Sequence, residues 1–207
     1  MWRVARTEER PTKERIVRAA RRLLSAHGYE GTGLKELSET ARAPYGSIYF
    51  HFPGGKDEVI ATAVRDAGRE RAAAFAVELS EASPAHAIDA LFRRTAQALE
   101  DADYARGCVV GTPSLDASTS SEIVRAACDE AFASWIDAIA ASLREHGSTR
   151  ARARELASTV MATFEGALML ARSQRSPEPL LAAGKVMRQV LEEPPAPRPR
   201  PSRAAAR

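Results

Sequence analysis

The chain has 207 residues, 44% hydrophobic and 6% aromatic, with 30 Lys and Arg against 27 Asp and Glu for a net charge of +3. That length supports a real core and one large or two modest domains, while the 2 cysteines, Cys108 and Cys128, exclude a disulfide framework and no Cys/His spacing suits zinc. The basic start, Met1-Trp2-Arg3-Val4-Ala5-Arg6, lacks the apolar centre of a signal peptide and no apolar run reaches membrane-spanning length, so a cytoplasmic protein with no membrane partner is expected.

Ala and Leu dominate the apolar set and no run alternates Val, Ile and Thr, which makes the expected fold class all-α. The charge is unevenly laid out. Residues 1–56 carry 11 Lys and Arg against 6 Asp and Glu, residues 57–193 carry 15 against 21, and residues 194–207 carry 4 against none. A basic head on an acidic body presents one end to a polyanion and keeps the other away from it.

Residues 1–10 read as a flexible basic arm whose Arg3, Arg6 and Arg10 either enter a minor groove or belong to a disordered segment with no role of its own. A helix is predicted from Thr12, with Ile16, Ala19, Ala20, Leu23 and Leu24 on one face and Gly28 ending it. Gly31-Thr32-Gly33 opens a second short helix with Leu34, Leu37 and Ala41 inward, and Ala41-Arg42-Ala43 turns into a third that starts at Pro44. Two short helices across such a turn form a helix-turn-helix, whose second helix lies in the major groove of double-stranded DNA. Tyr45, Gly46 and Ser47 occupy the exposed first turn and are expected to meet base edges: Gly46 permits close approach, and Tyr45 offers an OH and a ring face to a thymine methyl. Phe50 and Phe52 are expected to pack the small helices together.

With residues 11–56 as the head, residues 57–193 read as a helical body. Helices are expected over 57–79, 84–100, 121–145, 149–175 and 177–192, with 104–116 broken at Gly107, Gly111 and Pro113. Ile123, Val124, Ala127, Ala131, Trp135, Ile139 and Leu143 form one apolar stripe. Phe75, Phe92, Cys108, Trp135, Met161 and Phe164 come from different helices and are candidates to surround one cavity. The Pro-, Arg- and Ala-rich stretch 194–207 has no apolar period and is expected to be a disordered basic tail.

Gly28-Tyr29, Thr32, Leu37, Ala41, Gly46-Ser47-Ile48-Tyr49, His51-Phe52 and Lys56 together resemble the signature of the tetracycline-repressor (TetR) family, closely over residues 12–60 and beyond them only in helical layout. Gly31-Thr32-Gly33-Leu34, Phe52-Pro53-Gly54-Gly55-Lys56 and Gly107-Cys108 resemble the branch around the LmrA and YxaF repressors. Arg42 departs from the Gly usual at its turn position, and Tyr45 from a common Lys, so the operator sequence does not carry over.

The resemblance implies that Thr32, Lys35 and Lys56, with Tyr49 and His51, hold the DNA backbone, and that the body contains a pocket for a small apolar effector without a cofactor. It also implies a homodimer built on the last two helices, where Gly166, Ala167, Ala171, Leu181, Gly184, Val186 and Val190 are the candidate contacts. A symmetric dimer sets two recognition helices about one or more DNA turns apart, roughly 34 Å per turn, on a near-palindromic operator. The implied function is a ligand-responsive repressor.

Three rivals stand beside it. Cys108, next to Arg106-Gly107, is the candidate thiol of a redox-sensing repressor. A sequence-indifferent DNA-packaging protein would bind random and operator DNA alike. For an enzyme, His27, His51, His86 and His146 lie in no nucleophile-elbow, metal or phosphate-loop context, so no catalytic or metal-binding residues are assigned.

Overall fold

Pro11 and Gly28 bracket the first helix of the protein, whose structure, a computed structural model, describes residues 11–192. The expectations for Arg3, Arg6, Arg10 and the 194–207 tail lie outside those residues. The described residues form helices and connecting turns, with no strand among them. Helix α1 spans Thr12–His27, α2 Leu34–Ala41 and α3 Tyr45–His51. Arg42, at φ 50°, ends α2 in the left-handed region, where a side chain crowds its own carbonyl. Arg15 secures this turn by donating from Nε to Ala41 O at 3.2 Å and from Nη2 to Arg42 O at 3.1 Å. Pro44 stands just before α3 and not inside it: its extended ψ of 152° makes it the cap, and its carbonyl accepts the Ser47 and Ile48 N–H groups.

Ile16, Leu24, Leu37, Ile48 and Phe52 fill the space between these three helices and are almost wholly buried. Each contributes roughly 1.5–3 kcal/mol of hydrophobic stabilisation. Val59, Ile60 and Val64 of α4, Gly55–Glu81, complete this core, so the long helix is packed into the head before it enters the body.

The body continues with α5 Pro84–Asp101, α6 Gly111–Ser120, α7 Glu122–Glu145, α8 Arg150–Gln174 and α9 Glu178–Glu192. The expected break over 104–116 resolves into a turn followed by a regular α6. Pro113 falls in its first turn, where a missing N–H costs no hydrogen bond. Ile123 leaves the α7 stripe: it is exposed, while Val124, Ala127, Ala131, Trp135, Ile139 and Leu143 are buried.

Helix α4 lies along α7, α5 along α9, and α8 against both α7 and α9. Gly68 permits the first approach, since a Cβ there would meet the Ala131 methyl, and its carbonyl accepts Trp135 Nε1–H at 2.9 Å. Gly184 permits the second by facing Phe92. No described helix is long and apolar enough to cross a membrane.

Candidate DNA-binding surface and ligand cavity

Helix α3 buries Ile48 and turns the rest of its length outward. Tyr45 and Tyr49, one turn apart, share the outer face, and Ser47 and His51 are half-buried beside them. Gly46 and Pro44 are exposed, and a Cβ added at Gly46 would meet nothing. The structure therefore brings Pro44, Tyr45, Gly46, Ser47, Tyr49 and His51 onto one small surface. Phe50 is a correction: it is 79% exposed, its edge against the His51 ring at 5.0 Å between centroids. Ile48 and Phe52 are one turn apart and point inward, whereas Phe50, two residues from each, faces the other way.

Lys35 is exposed in the first turn of α2, where free backbone N–H groups and the helix dipole favour an anion. Thr32 is a second correction. Its side chain is buried and its hydroxyl donates to Gly28 O at 2.7 Å, so it closes the α1–α2 turn and has no hydroxyl proton left for a phosphate. Lys56 is half-buried with Nζ 4.2 Å from the centre of the Tyr29 ring.

That tyrosine belongs to a joint that sequence reasoning missed. The Tyr29 phenol donates to Asp57 Oδ1 at 2.7 Å, and Ser121, between α6 and α7, donates to Asp57 Oδ2 at 2.6 Å. Burial and the Asp57 carboxylate push the phenol up to about 12, so it stays a donor at any neutral pH. Asp116 of α6 accepts the backbone N–H groups of Tyr29 at 3.3 Å and Glu30 at 3.0 Å. The end of α1 is fastened too: Gly107 N–H donates to Ser25 O at 2.6 Å and Arg172 Nη2 to Ala26 O at 3.3 Å.

The body holds a partly open cavity of about 330 Å³. Phe75, Cys108, Trp135, Met161 and Phe164 all line it, joined by Arg71, Leu91, Leu99 and Leu168, which the sequence reading did not select. Phe92 does not. It is fully buried one residue beyond Leu91, turned to Gly184, with its ring 5.3 Å from Phe164. A wider, more open cavity of about 700 Å³ shares Gly107, Cys108 and Leu168 with the first and adds Thr112, Phe132, Glu165, Met169 and Arg172.

Cys108 sits where the two cavities meet, in surroundings that oppose a thiolate. Burial and the Glu165 carboxylate raise its thiol well above the ordinary range, which removes the electrostatic basis for the redox reading. Arg106, expected to favour the charged form, is exposed. Cys128 is buried and raised to about 11, chiefly by burial. Among the described residues no group of acidic, His and Cys side chains is arranged to hold a metal.

Residues 16–63 match the family described as bacterial regulatory proteins, tetR family, and residues 84–186 match transcriptional regulator LmrA/YxaF-like, C-terminal domain. The HTH-type transcriptional regulator LmrA of Bacillus subtilis is 32% identical over 183 residues, covering 87% of this chain and 97% of LmrA. The chain belongs to the TetR family.

It is a DNA-binding transcriptional regulator, not an enzyme. YxaF of the same bacterium is 31% identical over 84% of this chain and 92% of its own length. A solved regulatory protein TetR from Rhodobacter sphaeroides shares the fold, with a TM-score of 0.77 and 21% identity over 86% of this chain and 97% of that one.

On this TetR-family chain the residues proposed for subunit contact divide. Ala167, Ala171 and Gly184 are a correction, since all three are buried in the protomer's own core, where their small size lets α8 and α9 close on their neighbours. Gly166 is half-buried at the wider cavity, and Val190 packs partly on the core. Leu181 and Val186 face outward, joined by Met169 and Leu170, which the sequence reading passed over. The cue was present: Met169 and Leu170 lie between the buried Leu168 and Ala171, which are one turn apart, and cannot share their face.

Proposed function

We propose that this regulator is a homodimeric repressor that holds a near-palindromic operator and is released by a small, largely apolar effector entering the body. The observation that carries this reading is the placement of α6. Its first residue, Gly111, lines the wider cavity, its Asp116 holds the turn between α1 and α2, and the Ser121 that follows it holds Asp57. A ligand that displaces α6 by a fraction of an ångström therefore moves the head. Residues 11–56 act as the DNA-reading unit and residues 57–193 as the sensing and pairing unit, joined through α4.

Tyr45, Gly46 and Ser47 meet base edges, with the exposed Phe50 added as an apolar contact, while Lys35, Tyr49, His51 and Lys56 hold phosphates. Two such heads are needed because one seven-residue recognition helix reads too little sequence. The exposed Met169, Leu170, Leu181 and Val186 on adjacent helices supply the apolar surface for pairing. The relative CifR was solved with a 26-bp double-strand operator, at 22% identity and a TM-score of 0.73 over 85% of this chain and 94% of that one.

Selection of bound DNA from a random pool by the purified protein tests the reading. A two-fold symmetric enriched site with half-sites about one or more helical turns apart is the expected result. Recovery of random sequence at matched salt would sink it.

A further inference from the structure

Three buried side-chain polar atoms among the described residues have no hydrogen-bond partner, and two of them, Arg71 Nε and Glu165 Oε1, belong to residues lining the cavities. Arg71 is otherwise committed: its guanidinium lies 4.1 Å over the Phe75 ring and its Nη2 donates to Glu78 at 2.6 Å. Glu165 is not. Among the described residues no Lys or Arg stands within ion-pair distance of it, whereas other carboxylates of the body, Glu78, Asp89, Glu130 and Asp137 among them, have an arginine partner. A buried carboxyl group with an empty oxygen and no cation costs stability unless something else supplies the missing partner.

The carboxyl lies against the first residue of α6, where the absence of a Cβ at Gly111 makes room for it. The groups that share its cavity are the Cys108 thiol before α6, the Tyr104 phenol on the turn after α5 and the Arg172 guanidinium on α8, which is turned to Ala26 O. Arg71 and Arg106 stand in the adjoining cavity. Among these only Cys108 bonds to the Glu165 side chain.

We propose that Glu165 is the polar anchor of the effector site and that the effector is an apolar amine, its ring among Phe75, Trp135, Met161 and Phe164 and its ammonium group at Glu165. This deepens the proposed function and rests on its effector cavity. An ammonium group brings the absent counter-charge and N–H donors for the empty oxygen together, whereas a neutral alcohol brings only one weaker donor. The apolar ring fits walls that are otherwise aromatic and aliphatic. Because the carboxyl, carried by α8, lies against the start of α6, the charge that binds the ligand sits beside the element that grips the head.

Calorimetric titration of the full chain with 1-naphthylmethylamine and with its neutral counterpart 1-naphthylmethanol tests this without DNA. At pH 8 the amine is expected to bind at least about 10-fold more tightly, as a charge-assisted bond requires. Glu165→Gln is expected to erase that preference while leaving alcohol binding within about 2-fold, and Glu165→Asp to reduce it. In the wild type the preference should shrink between pH 8 and pH 5.5 as the carboxyl takes up its proton, a readout that does not depend on any variant folding. Equal binding of the two compounds, or a preference that survives in Glu165→Gln, overturns the proposal and leaves the cavity reading intact. Failure of both compounds to bind overturns the two together.

Discussion

Tyr29 and Asp57 are joined by a 2.7 Å hydrogen bond from phenol to carboxylate, and through it the turn of the head is tied to the start of the longest helix. Asp57 keeps its second oxygen on Ser121. Tyr29→Phe retains the ring under Lys56 but removes the donor, so the expected loss is about 1 kcal/mol, or roughly 2–4 °C in melting temperature. The sign with pH is fixed by the raised phenol: its contribution is complete below pH 10 and is lost as pH rises towards 12. Thermal melts of both proteins from pH 7 to 11 should converge at the alkaline end. Parallel curves would show that the bond contributes nothing.

Asp116 is the second tie, and its loss should separate sensing from DNA binding. Asp116→Ala returns the exposed Glu30 N–H to water but leaves the N–H of the buried Tyr29 without its acceptor, so a stability loss of about 1–3 kcal/mol is expected alongside the functional effect. The body then loses a grip on the head while its cavity walls remain. Operator affinity measured with and without saturating ligand should change by about 5- to 150-fold in the wild type and by far less in the variant, with ligand affinity unaltered. An undiminished response in Asp116→Ala would place the coupling elsewhere.

The recognition surface gives a pair of opposed effects. Gly46→Ala adds a methyl group in open space within α3, so the helix gains about 1 kcal/mol. The same methyl stands between helix and groove and should weaken operator binding. Phe50→Ala removes a side chain that is 79% exposed, leaving stability within about 0.5 kcal/mol and lowering operator affinity by roughly 5- to 100-fold. Melting curves and gel-shift titrations on the same preparations separate the two quantities. Unchanged DNA binding in both variants would remove α3 from the groove.

Much of this was legible in the sequence because it rests on period and punctuation. Gly28, Arg42 and Pro44 mark the head's turns, and the spacing of Ile16, Leu37, Ile48 and Phe52 marks its inside. Phe50 was misread as packing although its two-residue offset from both Ile48 and Phe52 puts it on the opposite face of any helix. The cavity was half legible: aromatic residues on separate helices converge, but Leu91 and Phe92 differ by one position and only the α5–α9 packing decides which faces the cavity. Glu165 and Asp116 carry no local signal. One is a carboxylate flanking an apolar stripe and the other sits in a segment that reads as broken, so their partners, Cys108 and the Tyr29–Glu30 backbone, appear only in three dimensions.

Arg42 holds a left-handed conformation that glycine adopts without strain. Arg42→Gly should relieve about 1 kcal/mol of native-state strain, offset in part by the greater freedom of glycine in the unfolded chain. Arg15 still donates to both turn carbonyls, since neither bond uses the Arg42 side chain. A small rise in the urea midpoint with an unchanged slope is the expected result. A fall would mean that the exposed Arg42 side chain stabilises the turn by more than the strain costs.

Glu165 sets a pH window of its own. Burial pushes its carboxyl up to about 7, from 4.5 for the free group. A raised acid favours the protonated native state, so its contribution to stability is complete below about pH 4.5 and is lost as pH climbs through 7. Integrated over that interval the loss amounts to roughly 3 kcal/mol. Glu122 and Glu130 are lowered by Arg125 and Arg65 and act in the opposite direction at more acid pH, so a single stability curve would mix the effects. The difference between wild type and Glu165→Gln cancels them. Denaturant unfolding at pH 4.5, 6, 7 and 8 should show the glutamine variant gaining steadily on the wild type up to pH 7 and levelling off above it. A constant difference across that range would mean that the carboxyl reaches water, and that the empty oxygen is solvated and not waiting for a ligand.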